Sequence, residues 1–230
     1  MNIIRNDNLI KRNSRIARIT MFGGLIILAG GLFISFGRAD LFWLSTVALV
    51  IGFLLSQIGI YFANRWGKSP RPDELLDVAL KGLDSKFTLY HYQSPADHLL
   101  VGPSGIWVLL PRPQKGYISY SDGRWRHRGG SLYLKLFAQE GLGRPDFEVR
   151  DEIKRVQEFL TKELEGSSIP EVRAALVFTN PLIQIVIPED ESPPAETVQA
   201  AKLKELVRKN AKEKSLSPPM AQAVNNVLQK

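Results

Sequence analysis

The chain of 230 residues is long enough for one ordinary domain with a short accessory segment. It contains no cysteine, which excludes disulfides, thiolate metal sites and cysteine nucleophiles. Its net charge of +7 does not indicate nucleic-acid binding by the chain as a whole, because residues 1–70 carry eight basic and two acidic side chains and the remainder is nearly neutral.

Two long apolar stretches follow a basic segment at residues 1–18. Residues 19–36 and 41–63 contain no charged side chain, and as helices each is long enough to cross a hydrocarbon core of about 30 Å. A short polar turn at 37–40 joins them. The sequence therefore predicts a transmembrane helical hairpin over residues 19–63.

Basic residues flank this hairpin unevenly. Five lysines and arginines precede it, and Arg65, Lys68 and Arg71 follow it, whereas the turn holds only Arg38. By the positive-inside rule, we expect a multi-pass protein of the cell membrane with both termini in the cytoplasm. The lipid bilayer is then its first partner.

Two alternatives to a membrane hairpin exist. A cleaved signal peptide is disfavoured, because the basic start is unusually long for one and no clear small-x-small cleavage site follows the first apolar stretch. Two core helices of a soluble domain would rarely remain uncharged over about 18 residues.

Small residues recur at every fourth position on one face of the second apolar stretch, namely Ala48, Gly52 and Ser56. Such a stripe lets two helices approach closely. Packing against the first helix of the same hairpin is the simpler interpretation, and a homodimer through these residues is the alternative.

After a linker at residues 64–72, residues 73–230 predict one cytoplasmic α/β domain with a mixed sheet flanked by helices. Pro72 begins a helix, and carboxylates in its first turn complement the helix dipole. The remaining predicted elements are strands at 87–92, 97–102, 105–110, 117–121, 124–128, 174–179 and 183–187, and helices at 145–165, 197–208 and from 218 onward.

The segment from Asp97 to Leu110 is the most informative. A turn at Pro103-Ser104 places Gly102 opposite Gly105 and Asp97 opposite Leu110. Residue 112 shares the face of residue 110, because side chains alternate along a strand. Positions 97, 110 and 112 therefore converge, and two carboxylates at such a place can hold Mg²⁺.

The same segment resembles the nuclease-related domain, NERD, of the PD-(D/E)xK restriction-endonuclease-like superfamily. The core motif of that family reads Asp-His, hydrophobic residues, Gly-Pro-x-Gly, hydrophobic residues and Glu-x-Lys, and residues 97–108 match its first part. Residues 116–125 and 175–180 resemble later elements of the family. The resemblance covers roughly residues 73–210 and implies a restriction-endonuclease-like fold.

The match ends at the second half of the motif. Leu110 stands where the family has Glu, and Arg112 stands where it has Lys. Leucine supplies no oxygen ligand, and arginine does not exchange a proton. The resemblance therefore implies a catalytically degenerate domain without a cofactor, acting as a binding or scaffold module. The alternative is an active nuclease, in which Asp97 and Glu74 are catalytic and Asp97 binds Mg²⁺.

Basic side chains near this segment are candidates for binding nucleic acid or a cytoplasmic protein; they are Arg112, Lys115, Arg124, Arg126 and Arg128. The last three alternate with Trp125 and His127, so the arginines share one strand face. They can contact phosphates while the aromatic side chains stack on bases. Alternatively they lie on a solvated edge strand, or face the anionic inner leaflet.

The histidines of the chain do not have the spacing of metal ligands. We expect His91, His98 and His127 to be hydrogen-bonded structural residues. Alternation along the strand predicts that His98 points away from the face of Asp97.

Overall fold

The computed structural model describes residues 1–129, 141–164, 169–213 and 216–229. These residues fall into two compact units. One is a helical unit, Asp7–Arg71, and the other is an α/β unit that joins Met1–Asn6 to the described residues from Pro72 onward.

The helical unit consists of α1 (Asp7–Gly37) and α2 (Phe42–Phe62), joined by a 3₁₀ turn at Ala39–Leu41. A π-helical turn at Ala63–Gly67 follows α2. Both helices are long and apolar enough to span a membrane. The helix α1 begins well before the predicted apolar stretch, and Asp7 lies in its first turn, where a carboxylate complements the helix dipole.

Large apolar side chains of this unit are exposed. The exposed fractions of Ile26, Phe33 and Phe36 are 71%, 81% and 86%. Core helices of a soluble protein bury such side chains, because apolar surface in water is unfavourable. The exposure therefore argues against the interpretation of these helices as the core of a soluble domain.

Glycines bring α1 and α2 into close contact. A Cβ atom added to Gly24 would lie 2.9 Å from the carbonyl oxygen of Gly52, and one added to Gly52 would lie 2.9 Å from the carbonyl oxygen of Gly24. A Cβ atom on Gly31 would lie 3.0 Å from the Cβ of Ala48. The small-residue face of α2 therefore packs on α1 of the same chain, and a homodimer through it stays a prediction.

The described strands are β1 (Asn2–Arg5), β2 (Thr88–His91), β3 (His98–Gly102), β4 (Gly105–Arg112), β5 (Gly116–Ser121), β6 (Arg124–Arg128), β7 (Val172–Phe178), β8 (Ile183–Val186) and β9 (Glu196–Gln199). In the described part of the chain they form a six-stranded mixed sheet, in the order β1-β2-β3-β4-β7-β9, and a smaller sheet, in the order β6-β5-β8.

Four helices of the α/β unit are described, and they are α3 (Pro72–Leu80), α4 (Pro145–Glu163), α5 (Ala200–Glu213) and α6 (Pro218–Leu228). The helices α3 and α5 pack on the sheet face that carries Leu100 and Trp107. The helices α4 and α6 pack on the opposite face, which carries Leu99 and Val108. The predicted class, a mixed sheet flanked by helices, is confirmed.

The predicted register of the β3–β4 hairpin is also confirmed. Gly102 pairs with Gly105, and Val101 pairs with Ile106. A Cβ atom on Gly102 would lie 2.3 Å from the ring of Phe87, and Gly105 has a φ of +103°, so both positions require glycine. Asp97 lies one residue before β3.

Two strands were missed by the sequence analysis. The strand β1 lies within the segment interpreted as a basic N-terminal extension, and it pairs in parallel with β2. The helix predicted from Thr197 begins only at Ala200, because Glu196–Gln199 pairs in parallel with β7. Residue 165, the predicted end of α4, lies outside the described residues.

Candidate functional site

On the β3–β4 hairpin, the positions predicted to form the nuclease-like site hold a buried apolar side chain and an arginine in an ion pair. Leu110 is buried in the core beneath α4. The Nη2 atom of Arg112 donates to the Oε2 atom of Glu148 on α4 at 2.6 Å. The position that would need an oxygen ligand is therefore part of the hydrophobic core, and the neighbouring cation already has a carboxylate partner.

The two predicted catalytic carboxylates belong to different parts of the α/β unit. Asp97 is half-buried, and its carbonyl oxygen accepts a hydrogen bond from the backbone of Tyr92 at 2.7 Å. Glu74 lies in the first turn of α3, which covers the sheet face opposite to that of Leu110. Leu110 and Arg112 thus lie on the same sheet face, as expected. Glu74 lies on α3, which covers the opposite sheet face. Their catalytic roles stay predictions.

Within the described ranges, no group of three or more histidine, aspartate or glutamate side chains is arranged to hold a metal ion. Magnesium prefers several oxygen ligands in an octahedral arrangement. A Mg²⁺ ion at Asp97 would therefore depend on water or on substrate phosphate for most of its ligands.

An exposed arginine face forms the edge of the smaller sheet. Arg124, Arg126 and Arg128 are all exposed on the edge strand β6, and Trp125 and His127 alternate with them, as predicted. Their partners on β5 are small or neutral; Ser121 pairs with Arg124, Ser119 with Arg126 and Tyr117 with Arg128. The only described ion pair of these arginines joins Arg126 to Asp122 at 3.4 Å, so this face has excess positive charge.

The other side of β6 is anchored to the α/β unit. The Nε1 atom of Trp125 donates to Asp146 at 2.8 Å, and its ring lies 4.9 Å from the ring of Tyr120. Burial, together with the charges of Asp146 and Glu191, raises the pKa of the Tyr120 hydroxyl. Trp125 is therefore used for packing, and the arginine face is suited to phosphates more than to base stacking.

Of the other predicted binding residues, Lys115 is exposed and Arg112 is not. The side chain of Arg112 is only 13% exposed in its pair with Glu148. The Nε2 atom of His127 lies 2.9 Å from the carbonyl oxygen of Lys115, which ties the end of β6 to the segment before β5. Lys115 is therefore an exposed cation next to β5, while the side chain of Arg112 is held by α4.

A buried polar network was missed by the sequence analysis. The Nδ1 atoms of His91 and His98 lie 2.8 Å apart, and the Nε2 atom of His91 lies 3.0 Å from Oδ1 of Asp77. Arg5 of β1 forms ion pairs with Asp77 and with Asp73, whose side chain is fully buried. The network links β1 to α3, β2 and β3, and it places His98 on the sheet face that α3 covers.

Protons in this network are constrained by the geometry. A carboxylate only accepts, so His91 donates from Nε2 to Asp77. A hydrogen bond between two Nδ1 atoms needs one donor and one acceptor, so the histidine pair carries at most one positive charge. Partial burial raises the pKa of the Asp77 carboxyl, but the hydrogen bond and charge of His91 and the charge of Arg5 outweigh it, so the pKa lies below 3.8. One available signal was the spacing of Asp73 and Asp77, which share a helix face.

Comparison of the chain with protein-family models, curated proteins and solved structures gives no match. The relationship to the nuclease-related domain therefore stays a prediction from residues 97–108 and the weaker matches that follow them.

Proposed function

We propose that the protein is a membrane-anchored binding module, in which a nuclease-like domain that does not cleave binds the phosphate backbone of a nucleic acid at the cytoplasmic face of the membrane. The length and apolarity of α1 and α2 and their exposed large side chains support the anchoring, and the pairing of β1 with β2 supports its topology. The hairpin of α1 and α2 lies between these two strands in the chain, so both of its ends continue into the same α/β unit. A hairpin with that connectivity crosses a bilayer an even number of times.

Charge at the two ends of the hairpin supports the cytoplasmic orientation. Arg38 in the turn makes two hydrogen bonds with Asp40, both of 3.1 Å, so this end is locally neutral. The opposite end carries Lys11, Arg15 and Arg18 on α1 and further cations after α2. Neutral turns are translocated more readily than basic ones.

Side chains on the β3–β4 hairpin support binding without cleavage. Metal-dependent hydrolysis needs oxygen ligands next to the scissile phosphate. Leu110 contributes a buried apolar group instead, and Glu148 is paired with Arg112. The arginine face supplies the phosphate contacts, since guanidinium groups bind phosphate oxygens through two parallel hydrogen bonds.

The full chain in phosphatidylcholine nanodiscs tests both parts of this proposal. We expect binding of single-stranded DNA or RNA that weakens with salt, and intact nucleic acid after incubation with Mg²⁺ or Mn²⁺. Replacement of Arg124, Arg126 and Arg128 by Gln should reduce the slope of log affinity against log salt by about 2, because each phosphate contact contributes about 0.7.

Lys154, Lys202 and Lys212 are exposed cations elsewhere on the α/β unit, and their replacement by Gln is the matched control. The control should leave binding nearly unchanged. An equal loss of nucleic-acid affinity in both triple variants would contradict the assignment of the binding site to the arginine face. Cleavage that Asp97→Ala abolishes would establish the alternative, a membrane-tethered nuclease.

A further inference from the structure

The helical unit contains a cavity of about 350 Å³ at its basic end. One wall is formed by α1, which contributes Lys11, Ser14, Arg15 and Arg18. The other wall is formed by Trp66 of the π-helical turn and by residues immediately after it, including Ser69 and Arg71. The volume lies at the lower end of the range of small-molecule sites, about 300–1,000 Å³.

The lining of this cavity is strongly positive. It includes four cations and no carboxylate among its described residues. Lys11, Arg15 and Arg18 are spaced by four and three positions, so they lie on one face of α1. All three are exposed, and within the described ranges the structure records no ion pair for any of them. Asp40, one of the two acidic residues of the unit, is paired at the far end of the hairpin.

The cavity lies beside the predicted boundary of the hydrocarbon core. Arg18 directly precedes Ile19, the first residue of the uncharged stretch, and Lys11 lies about 10 Å further along α1 at 1.5 Å per residue. The headgroup layer on each side of a bilayer is about 5–8 Å thick. Trp66 follows the second uncharged stretch closely, as interfacial aromatic side chains do. The cationic face of α1 therefore covers the depth of the headgroups.

These observations indicate a phosphate-binding cavity. Guanidinium groups bind phosphate oxygens through two parallel hydrogen bonds, a lysine adds charge, and the hydroxyl group of Ser14 can donate a further hydrogen bond. We propose that this cavity binds the phosphate headgroup of an anionic phospholipid, whose acyl chains lie along the exposed apolar surface below it. The inference rests on the membrane anchoring proposed above, because a lipid is the phosphate source at that depth.

Native mass spectrometry of the full chain in detergent, titrated with phosphatidylglycerol or phosphatidylcholine, tests the inference. We expect a saturable adduct of one phosphatidylglycerol and a much weaker adduct with phosphatidylcholine. The double variant Arg15→Gln/Arg18→Gln should weaken the phosphatidylglycerol adduct about a hundredfold, because each charged hydrogen bond lost to the phosphate contributes about a tenfold factor.

A matched control removes the same charge from the same end of the unit. Arg12→Gln/Lys68→Gln changes two exposed cations that do not line the cavity. An equal loss in both double variants would mean general attraction and would overturn the cavity site. Ser14→Phe keeps every charge and fills the cavity; we expect it to reduce the adduct, and an unchanged adduct would contradict the inference.

Competition with inorganic phosphate distinguishes a site for a lipid headgroup from a site for free phosphate. Displacement of the lipid by millimolar phosphate would identify a site for free phosphate and would overturn the lipid assignment. Failure of the anchoring has a different signature, because the chain would then be extracted from membranes by alkaline carbonate. An anchored chain without selectivity for phosphatidylglycerol would defeat this inference alone.

Discussion

The helical unit and the α/β unit bury opposite kinds of side chain. On α2 the buried residues are Ser45, Gly52 and Gly59, while phenylalanine and leucine side chains of the same helix are exposed. In the α/β unit the largest buried side chains include Trp107, Tyr90 and Phe178. Water drives apolar groups into a core, whereas helices in lipid gain little from burying them and associate through small residues. The burial pattern of the helical unit is therefore the one expected of helices in lipid, and that of the α/β unit is the one expected in water.

The largest expected effect is an all-or-none difference in labelling across the membrane. The chain has no cysteine, so single cysteines report one position each. In intact cells, a membrane-impermeant maleimide should label the variant Gly37→Cys, at the end of α1 beside the turn, and should not label Lys68→Cys. A Cβ atom at Gly37 has no neighbour within 4 Å, so the substitution is tolerated.

Lysed cells provide the control for this labelling, since both cysteines should then react. Protection of Gly37→Cys and labelling of Lys68→Cys in intact cells would invert the orientation. If neither variant were labelled in intact cells and alkaline carbonate released the chain from membranes, the helical unit would not be inserted in a bilayer, and the contrast between the two units would be wrong.

The second prediction compares how much a buried tryptophan of the α/β unit and an exposed tryptophan of the helical unit contribute to the free energy of unfolding. Trp107 is fully buried and Trp43 is 65% exposed. Trp107→Ala should lower the free energy of unfolding of the α/β unit by about 3–5 kcal/mol, because it leaves a cavity and removes the ring on which Arg173 stacks at 4.4 Å. Trp43→Ala should change it by less than about 0.5 kcal/mol.

Pulse proteolysis of the full chain across a urea titration gives both values. Equal losses for Trp107→Ala and Trp43→Ala would mean that the exposed aromatic side chains of the hairpin also support the α/β unit, contrary to the comparison.

The third prediction tests the packing of α1 on α2 by replacing a glycine in the contact and a glycine outside it. Gly52→Ala should destabilise the helix pair by about 1–3 kcal/mol, because the new Cβ would lie within 2.9 Å of backbone atoms of α1. Gly30→Ala has no neighbour within 4 Å of its Cβ and should be neutral or slightly stabilising. Thermal melting of the detergent-solubilised chain, followed by helical circular dichroism, compares them. Identical melting temperatures would show that the helices do not pack as described.

Asp77 gives the smallest expected effect, and it tests how the α/β unit treats buried charge. Asp77→Asn should lower the free energy of unfolding at pH 7 by about 1–2 kcal/mol, since charged hydrogen bonds to His91 and Arg5 are lost from a partly exposed site. The folded state holds the pKa of Asp77 below its ordinary value, so its contribution is complete well above the ordinary carboxyl pKa and is lost as the pH falls through the lowered one.

The difference between wild type and Asp77→Asn should therefore shrink in acid, as measured by urea unfolding at a series of pH values. Asp151→Asn is the control, because among the described residues Asp151 forms an exposed pair with Arg155 on α4 and no other ion pair. A difference that grows towards low pH would contradict the assigned direction of the Asp77 pKa.

Several parts of the site could be predicted because they depend on neighbours in sequence. The Gly-Pro-Ser-Gly turn sets the register of β3 and β4, so the pairing of residues 99–102 with 105–108 followed from the sequence. Alternation along β6 separated its arginines from Trp125 in the same way. The contact of Trp125 with Asp146 did not follow, because those residues lie on separate elements.

The histidine network shows why the rest of the site was not predictable. His91 and His98 were expected to be hydrogen-bonded, but their partner Asp77 comes from α3 and the cation Arg5 comes from β1. Arg5 and Asp77 are 72 residues apart and are separated in the chain by the whole helical unit. No local pattern identifies such a pair.

The amino-acid pattern was sufficient to define the apolar hairpin, the strand alternation and the turn glycines, because each depends on periodicity or backbone conformation within a few residues. Folding in three dimensions added the pairing of β1 with β2, the sheet face to which each helix belongs, and the burial of Leu110 in the core. These features depend on contacts between distant segments, and their free energy comes from burial and pairing that no single segment contains.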